Sequence, residues 1–283
     1  MASILKSAGI YDAKAPVVVS FSSRGPSPIT RDILKPDLTA PGVDILAAWS
    51  PIGSMSVYEG DPRSVPYNII SGTSMSCPHA SGAAAYIKSF HPTWSPAAIK
   101  SALMTTAYPM NQSSNTDAEF AYGAGHINPI KAVNPGLIYD AGEADYVTML
   151  CGQGYNTTKL RLVTGDNSTC SAANNGTALD LNYPSMAVTV VSGKPFSVSF
   201  RRTVTNVGFP NSTYTPTVSS FPPGFQSMSY PSELPFKSVG ETQSFTVTLS
   251  GMTSEYVLST AITWSDGVHS VRSPIVVHSS SSS

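Results

Sequence analysis

Charged residues are scarce in this chain of 283 residues: they make up 12% of it, about half the usual globular share. Sixteen basic residues face seventeen acidic ones, which leaves a net charge of -1. The sequence has no basic patch and no acidic tail, so neither nucleic acid nor a strongly charged partner is expected. No run approaches the ~20 apolar residues that a membrane-spanning helix needs. The composition indicates a globular protein with an uncharged, turn-rich surface, which is typical of secreted proteins.

Cysteine is equally rare, and the three cysteines are Cys77, Cys151 and Cys170. An odd number permits at most one internal disulfide and leaves one free thiol. Asn-x-Ser/Thr sequons, the acceptors of N-linked glycans, occur at Asn111, Asn156, Asn167, Asn175 and Asn211. The first ten residues have no long apolar core and no cleavage site, so we expect no signal peptide there. The composition is typical of a secreted protein, but the chain shows no signal peptide, so we expect a truncated reading frame.

The first half of the chain alternates apolar strands with helices. Residues 15–22 form a nearly unbroken apolar run that predicts a buried strand, and residues 35–48 and 67–70 give two further β-rich stretches. From Ser74 to Phe90 the residues are small and apolar, which predicts a helix buried inside a larger domain. A second helix is predicted from the N-cap Ser95 to Ala107, with proline at its first position. This alternation predicts an α/β layer fold, with too few strands present to close its sheet.

The second half of the chain follows a period of two. Between residues 180 and 278, apolar residues alternate with polar ones in several short runs separated by turn signals, which predicts a small all-β sandwich. A short helix is expected from Gly142 to Leu150, followed by a polar, irregular stretch. The predicted organisation is an α/β part over residues 1–140, a connecting segment over 141–179, a sandwich over 180–278 and a disordered tail over 279–283.

The segment that carries chemistry is GTSMSCPH, residues 72–79, which opens the small-residue helix. A serine at this position, Ser74, has its hydroxyl beside unsatisfied backbone N–H groups and the positive end of the helix dipole. Such a place suits a nucleophile whose attack generates an oxyanion. Gly72 allows a substrate backbone to approach closely.

This segment resembles the nucleophile motif of the subtilase family of serine proteases, G-T-S-M-x-x-P-H. Stretches similar to the final third of a subtilase catalytic domain are SFSSRGP at 20–26, KPDLTAPGVDILAAWS at 35–50, SPAAIKSALMTTA at 95–107 and YGAGHINPIKAV at 122–133. Stretches similar to the cucumisin-like plant branch are NPGLIYD at 134–140, DLNYPS at 180–185 and RTVTNVG at 202–208. In that branch a fibronectin-III-like sandwich follows the catalytic domain, which agrees with the period-two pattern.

The resemblance implies that Ser74 is the acylating nucleophile and that its own N–H is one oxyanion donor. Tyr67 and Asn68 match the strand that lines the substrate cleft, beside Gly72. The family places an Asp, a His and an oxyanion-hole Asn upstream of the serine, and this sequence has neither D-[ST]-G nor H-G-T-H. We therefore expect a fragment or truncated paralogue of a secreted endopeptidase, inactive by itself. The alternatives are a non-catalytic protein whose sandwich is an interaction module, and an incomplete gene model.

The resemblance also implies peptide or protein substrates, an extracellular location in the apoplast or cell wall, and no cofactor. Cys151 and Cys170 flank the polar connecting segment, where a covalent tie helps most, so we expect a disulfide between them. We expect Cys77 to be buried and free. His79 is a poor candidate for the base, because five helical residues rotate its side chain by ~500° and raise it by ~7.5 Å. His126 lacks a second ligand at metal spacing, so no metal site is expected.

Two acidic residues, Glu59 and Asp61, precede the strand at 67–70 and could mimic a triad acid. They fall in a loop, however, and loop charges are usually solvated. We therefore expect neither of them to take part in catalysis.

Overall fold

The computed structural model describes residues 12, 14–56, 58, 60–171, 174–219 and 224–280. Strands β1 (Ile45–Ala48) and β2 (Tyr67–Ile70) form an antiparallel pair in which Ile45 lies opposite Ile70. The strand expected at residues 67–70 is therefore confirmed. Only the last four residues of the β-rich stretch 35–48 form a strand, because Pro36 and Pro41 lack the N–H group that a ladder needs.

The strand predicted at residues 15–22 is wrong. Those residues follow an irregular path, and the amide of Val18 donates to the side chain of Asn115 at 3.0 Å instead of to another strand. Within the described residues no strand lies beside them, so the apolar run has no ladder to join.

Helix α1 (Thr73–Phe90) has 18 residues, and its predicted burial is wrong for the chain as described. Only Ala83 and Ile87 are buried, while Tyr86 and Phe90 are 46% and 53% exposed. The free Cys77 is exposed as well, contrary to expectation. The physical reason is that α1 packs against helices on one side only, so its small-residue face on the other side meets solvent.

Helix α2 (Pro96–Thr105) begins where its sequence signals predict. The Ser95 Oγ accepts a hydrogen bond from the Ala98 amide at 2.9 Å, and proline occupies the first turn. The helix packs against α1 through a buried cluster that includes Ile87, Ala102 and Leu103. This cluster is the core of the first half of the chain.

Four shorter helices follow, α3 (Glu119–Tyr122), α4 (Pro129–Ala132), α5 (Glu143–Gly152) and α6 (Thr157–Thr164). The last of them lies in the stretch that we expected to be irregular. The Asn156 side chain caps it by accepting from the Lys159 amide at 2.9 Å, Leu160 is fully buried, and Gly165 ends it with a φ of 69°. A cap, one buried residue and a glycine stop thus suffice for two helical turns.

The remaining strands form two facing sheets. Their bounds are β3 (Leu137–Ile138), β4 (Met186–Val191), β5 (Pro195–Asn206), β6 (Ser212–Val218), β7 (Gln226–Tyr230), β8 (Leu234–Phe236), β9 (Thr242–Met252), β10 (Val257–Ser265) and β11 (Ser270–Ser280). One sheet has the order β4-β11-β10-β6-β8 and the other β3-β5-β9-β7. The core between them contains Phe200, Phe245 and the fully buried Trp264.

Strand β3 lies within residues 1–140, which were predicted as the first domain. Leu137 and Ile138 fall in the part assigned to the first domain, yet they pair with Asn206 and Thr205 of β5 and extend the sandwich. Leu137 is fully buried in the sandwich core together with Tyr139. The sequence could not show this, because a strand of two residues carries no readable period.

A buried arginine holds the chain where it approaches the sandwich. Arg202 is 2% exposed and donates four hydrogen bonds to main-chain carbonyls: from Nε to Tyr183 at 2.9 Å, from Nη1 to Leu179 at 2.7 Å and Arg201 at 2.9 Å, and from Nη2 to Ser185 at 3.2 Å. Burial lowers the pKa of Arg202 to about 10, so it remains charged at neutral pH. The guanidinium replaces strand pairing for a segment that makes few other backbone bonds.

The two halves share a buried contact. The Tyr139 amide donates to the Ser101 Oγ at 2.9 Å, and the Tyr139 hydroxyl contacts the Ser273 hydroxyl at 2.8 Å. Nearby, Arg272 of β11 lies 3.6 Å from the Glu119 carboxylate of α3. Burial raises the pKa of Tyr139 to about 12. None of the helices in the described ranges is long and apolar enough to cross a membrane.

Candidate active site

Ser74 lies in the first turn of α1, two residues after the N-cap Gly72. The extended backbone of Gly72 (φ 166°, ψ 160°) connects strand β2 to the helix, and the Met75 amide donates to the Gly72 carbonyl at 3.0 Å. The Ser74 side chain is exposed, and no described residue forms a hydrogen bond with its Oγ. Its hydroxyl therefore stands free beside the unpaired N–H groups at the positive end of a helix of 18 residues.

The turn that presents Ser74 is fixed by contacts with the loop before β1. The Gly72 amide donates to the Gly42 carbonyl at 2.8 Å, and the Ser76 Oγ donates to the Ala40 carbonyl at 2.9 Å. A Cβ atom on Gly42 would lie 2.3 Å from the Ser76 Oγ and 2.9 Å from the Gly72 carbonyl oxygen. Glycine is therefore required at position 42 by this close approach.

The residues expected to contact substrate lie on β2, which leads into this turn. Tyr67 is 62% exposed at the start of the strand, and Asn68 donates from Nδ2 to the Met55 carbonyl at 3.3 Å. Beyond the strand, the Ser71 Oγ accepts from the Asp44 amide at 2.8 Å, which joins the two ends of the hairpin. The structure thus brings Tyr67, Asn68, Gly72 and Ser74 onto one continuous segment. Their contact with a substrate remains a prediction.

None of the five histidines forms a hydrogen bond with Ser74, and all five are among the described residues. His79, one turn further along α1, pairs its Nδ1 with the Met75 carbonyl at 2.8 Å. The other four histidines have partners elsewhere: the carbonyl of Val133 for His91, of Ile127 for His126 and of Arg31 for His278, and the carboxylate of Asp266 for His269. Among the described residues, Ser74 therefore has no histidine hydrogen-bonded to it as a general base.

Of the two acidic residues before β2, the structure describes Asp61, which is bound to other side chains. Asp61 forms hydrogen bonds with the Arg63 guanidinium at 2.8 and 2.5 Å and with the Ser56 hydroxyl, and these bonds hold the pKa of its carboxyl far below the usual range. Glu59 lies outside the described residues. The described ranges also contain no group of three or more His, Cys, Asp or Glu that could hold a metal ion.

The disulfide and the sequons lie away from Ser74. Cys151 at the end of α5 is bonded to Cys170, with their Cα atoms 5.4 Å apart, and the bridge encloses α6. The asparagines of the five sequons are exposed: Asn111, Asn156, Asn167, Asn175 and Asn211. At Asn111 and Asn156 the Oδ1 atom caps a helical turn. That arrangement leaves the Nδ2 atom, which would carry a glycan, outside the cap.

Residues 6–125 match the subtilase family and residues 180–277 match a fibronectin type-III domain. Three subtilisin-like proteases of Arabidopsis thaliana are similar over nearly the whole chain. SBT4.6 is 56% identical over 98% of this chain and 38% of its own length, SBT4.4 is 52% identical over 99% and 39%, and SBT4.3 is 53% identical over 98% and 38%. The chain therefore spans about two fifths of these relatives.

Solved structures add little to this. An endo-fucoidan hydrolase of glycoside hydrolase family 107 matches 35% of the chain at 13% identity, and its TM-score of 0.25 is too low to indicate a shared fold.

Fold and site together define an α/β segment that presents an exposed serine at the start of a helix, followed by a fibronectin-type sandwich. The chain contains a domain of the subtilase family, a family of serine-type endopeptidases, followed by a fibronectin type-III domain, and it is similar over nearly its whole length to plant subtilisin-like proteases.

Proposed function

We propose that this chain supplies the nucleophile, Ser74, of a secreted plant serine endopeptidase that cleaves peptide bonds through an acyl-enzyme. The observation that carries the proposal is the free Ser74 hydroxyl at the start of α1, on a turn fixed by the contacts of Gly42 and Ser76. Attack on a peptide carbonyl creates an oxyanion, and the unpaired amides of the first turn are placed to donate to it. The Ser74 amide is the first such donor.

The base that activates Ser74 and the carboxylate that orients it would come from the part of the relatives that this chain does not span. A serine hydroxyl is a weak nucleophile without an adjacent base. In subtilisin, removal of the nucleophile or the base lowers turnover by ~10⁶. We therefore propose that the 283 residues alone hydrolyse no peptide bond at a useful rate.

A peptide substrate would approach along β2. Among the residues that the structure describes, this strand pairs with β1 along one edge only, and Tyr67 and Ile69 are more than 60% exposed. An extended peptide can add to a strand edge of this kind through main-chain hydrogen bonds. Asn68 and Gly72 would then lie beside the peptide close to the bond that is cleaved.

We propose an extracellular location for the intact protein, in the apoplast or cell wall. Support comes from the disulfide between Cys151 and Cys170, which persists only in an oxidising compartment, and from the exposure of all five sequon asparagines. Expression through the secretory pathway of a plant cell should yield a glycoprotein whose mass falls on treatment with a glycosidase. A secreted product of unchanged mass would contradict the assignment of these asparagines.

The test of the nucleophile uses a fluorophosphonate probe on two purified proteins. The first is the 283-residue chain itself, which we expect not to react. The second is a chimera in which this chain replaces the corresponding last part of SBT4.6, which is 56% identical to it. The chimera should be labelled at Ser74 and should cleave peptides. Ser74→Ala should abolish both activities, whereas Ser81→Ala, a change at an exposed serine of the same helix, should retain them.

Two results would contradict the proposal. Labelling of the isolated chain at Ser74 would show that a base exists within it. A chimera that is folded by circular dichroism but unlabelled would show that Ser74 is not a working nucleophile, and would favour a non-catalytic protein that uses its sandwich for interactions.

A further inference from the structure

A cleft of about 660 Å³ lies between the two halves of the chain, and Ser74 does not line it. One wall is formed by the end of α2 and by α4, and the other by two loops of the sandwich, residues 207–209 and 268–270. Its volume falls within the range of ligand sites, which is roughly 300–1,000 Å³. The cleft is therefore large enough for several residues of a peptide.

The charged residues that line the cleft are cationic. Lys131 of α4 and Arg272 of β11 lie in its wall, and no acidic residue among the described ones does. Lys131 is exposed and its Nζ makes no ion pair with any residue that the structure describes. An anionic group that enters the cleft would thus meet one free ammonium group.

His269 contributes a polar atom that is held in place and yet unused. Its side chain is only 10% exposed, and its Nδ1 lies 2.9 Å from the Asp266 carboxylate, which fixes the ring. Gly136 and Gly208 pack tightly against it, since a Cβ on either would lie 2.5 or 3.1 Å from His269 atoms. No described residue forms a hydrogen bond with the Nε2 atom, and His269 lines the cleft. Both of its described partners, Asp266 and the Tyr214 hydroxyl at 3.4 Å, contact Nδ1, so Nε2 is the ring atom left for a ligand.

The cleft also offers what an apolar residue and a peptide backbone need. Tyr108, Phe209 and Val268 line it and are 53%, 57% and 73% exposed. The main-chain carbonyls of Thr105 and Thr106, at the end of α2, accept no backbone hydrogen bond from other described residues outside the helix. Unpaired carbonyls at a helix C-terminus accept N–H groups, and a peptide has such groups whereas a small organic acid has none.

We propose that this cleft binds the carboxyl-terminal end of a peptide whose last residue is apolar. The carboxylate accepts from the Lys131 ammonium group, and the apolar side chain packs on Phe209. Because Nδ1 of His269 donates to Asp266, its Nε2 is an acceptor, and one peptide N–H donates to it while another donates to a carbonyl at the end of α2. The site does not depend on the chemistry of Ser74. Its occupant differs from a substrate, because it presents a free carboxylate in place of a continuing chain.

The test measures fluorescence anisotropy with a labelled peptide of four residues that ends in phenylalanine, prepared as the free acid and as the amide. The full chain carries Ser74→Ala, so that hydrolysis cannot contribute. We expect the acid to bind about tenfold more tightly than the amide, the difference of one charge-assisted contact. Lys131→Glu should reduce the affinity for the acid to that for the amide. Phe209→Ala should weaken both forms by a similar factor.

Lys159→Glu is the matched control, because this exposed lysine on α6 lies outside the cleft, and it should change neither affinity. Equal binding of acid and amide, no binding of either, or an equal effect of Lys131→Glu and Lys159→Glu would overturn the proposal. Displacement of the peptide by an equal concentration of phenylacetate would overturn the assignment to a peptide, since that acid lacks the backbone N–H groups.

Discussion

Replacement of Arg202 by methionine should be among the most damaging single changes in the sandwich. Methionine has a similar length and keeps the apolar contacts of the stem, but it removes all four hydrogen bonds to the carbonyls around it. Three of those carbonyls, of Leu179, Tyr183 and Ser185, belong to the segment just before β4, which has few other partners. Arg202 is therefore expected to hold this segment against the sandwich through its hydrogen bonds.

The magnitude follows from two opposing quantities. Hydrogen bonds from a charged donor contribute ~1.5–3 kcal/mol each, so the four bonds of Arg202 represent ~6–12 kcal/mol. Burial of the guanidinium costs several kcal/mol, and its lowered pKa reflects that cost. We expect a net loss of about 3–5 kcal/mol in the free energy of unfolding, the range found when one partner of a buried charged contact is removed.

Urea unfolding followed by tryptophan fluorescence measures this loss, because Trp264 is fully buried in the sandwich core. With an m value of about 2–3 kcal/mol/M, the midpoint should fall by about 1–2 M. Arg201→Met is the matched control, since its side chain is exposed and the change should stay within ~0.5 kcal/mol. A loss below 1 kcal/mol for Arg202→Met would refute the reasoning, because water would then replace the guanidinium without cost.

Three further predictions concern separate parts of the chain. Gly42→Ala should cost ~1–3 kcal/mol by overpacking the turn that presents Ser74, and in the chimera it should slow labelling by the probe. An unchanged labelling rate would contradict this. Burial raises the pKa of Glu119, so the stability that its protonated form contributes is fully present below its ordinary pKa and is lost as the pH rises through the raised value. Glu119→Gln should therefore become more stable relative to the native chain as the pH rises. The same change at the exposed Glu143 should show no such trend. The paired change of Cys151 and Cys170 to serine should lower stability by ~3 kcal/mol, and a loss near zero in denaturant titrations would show that the bridge constrains nothing in the unfolded chain.

Local signals in the sequence predicted most of the elements that matter for the site. The strand at 67–70, the helix that begins at Ser74 within one residue, and the cap at Ser95 are all short-range features, set by neighbours in the chain. The period of two in the second half predicted the sandwich for the same reason, since alternate side chains of a strand face one core. The motif around Ser74 placed the chain in its family, which the comparisons confirm.

Other features depend on residues far apart in the chain, and no local pattern carries them. An apolar run such as residues 15–22 becomes a strand only if a neighbour supplies hydrogen bonds, and α1 becomes buried only if something covers both of its sides. The pairing of Leu137 with Asn206 likewise links positions 69 residues apart.

The sequence by itself determined which residue is the candidate nucleophile, because that candidate follows from a contiguous motif and from the physics of one helix terminus. Only the tertiary structure decided what surrounds Ser74 and which carbonyls accept the hydrogen bonds of Arg202. It also decided that His269 lines a cleft and that its Nε2 atom has no hydrogen-bond partner among the described residues. The physical reason is that hydrogen-bond partners and solvent exposure depend on which segments, distant in the chain, the fold brings together. Composition and local residue spacing do not specify those contacts.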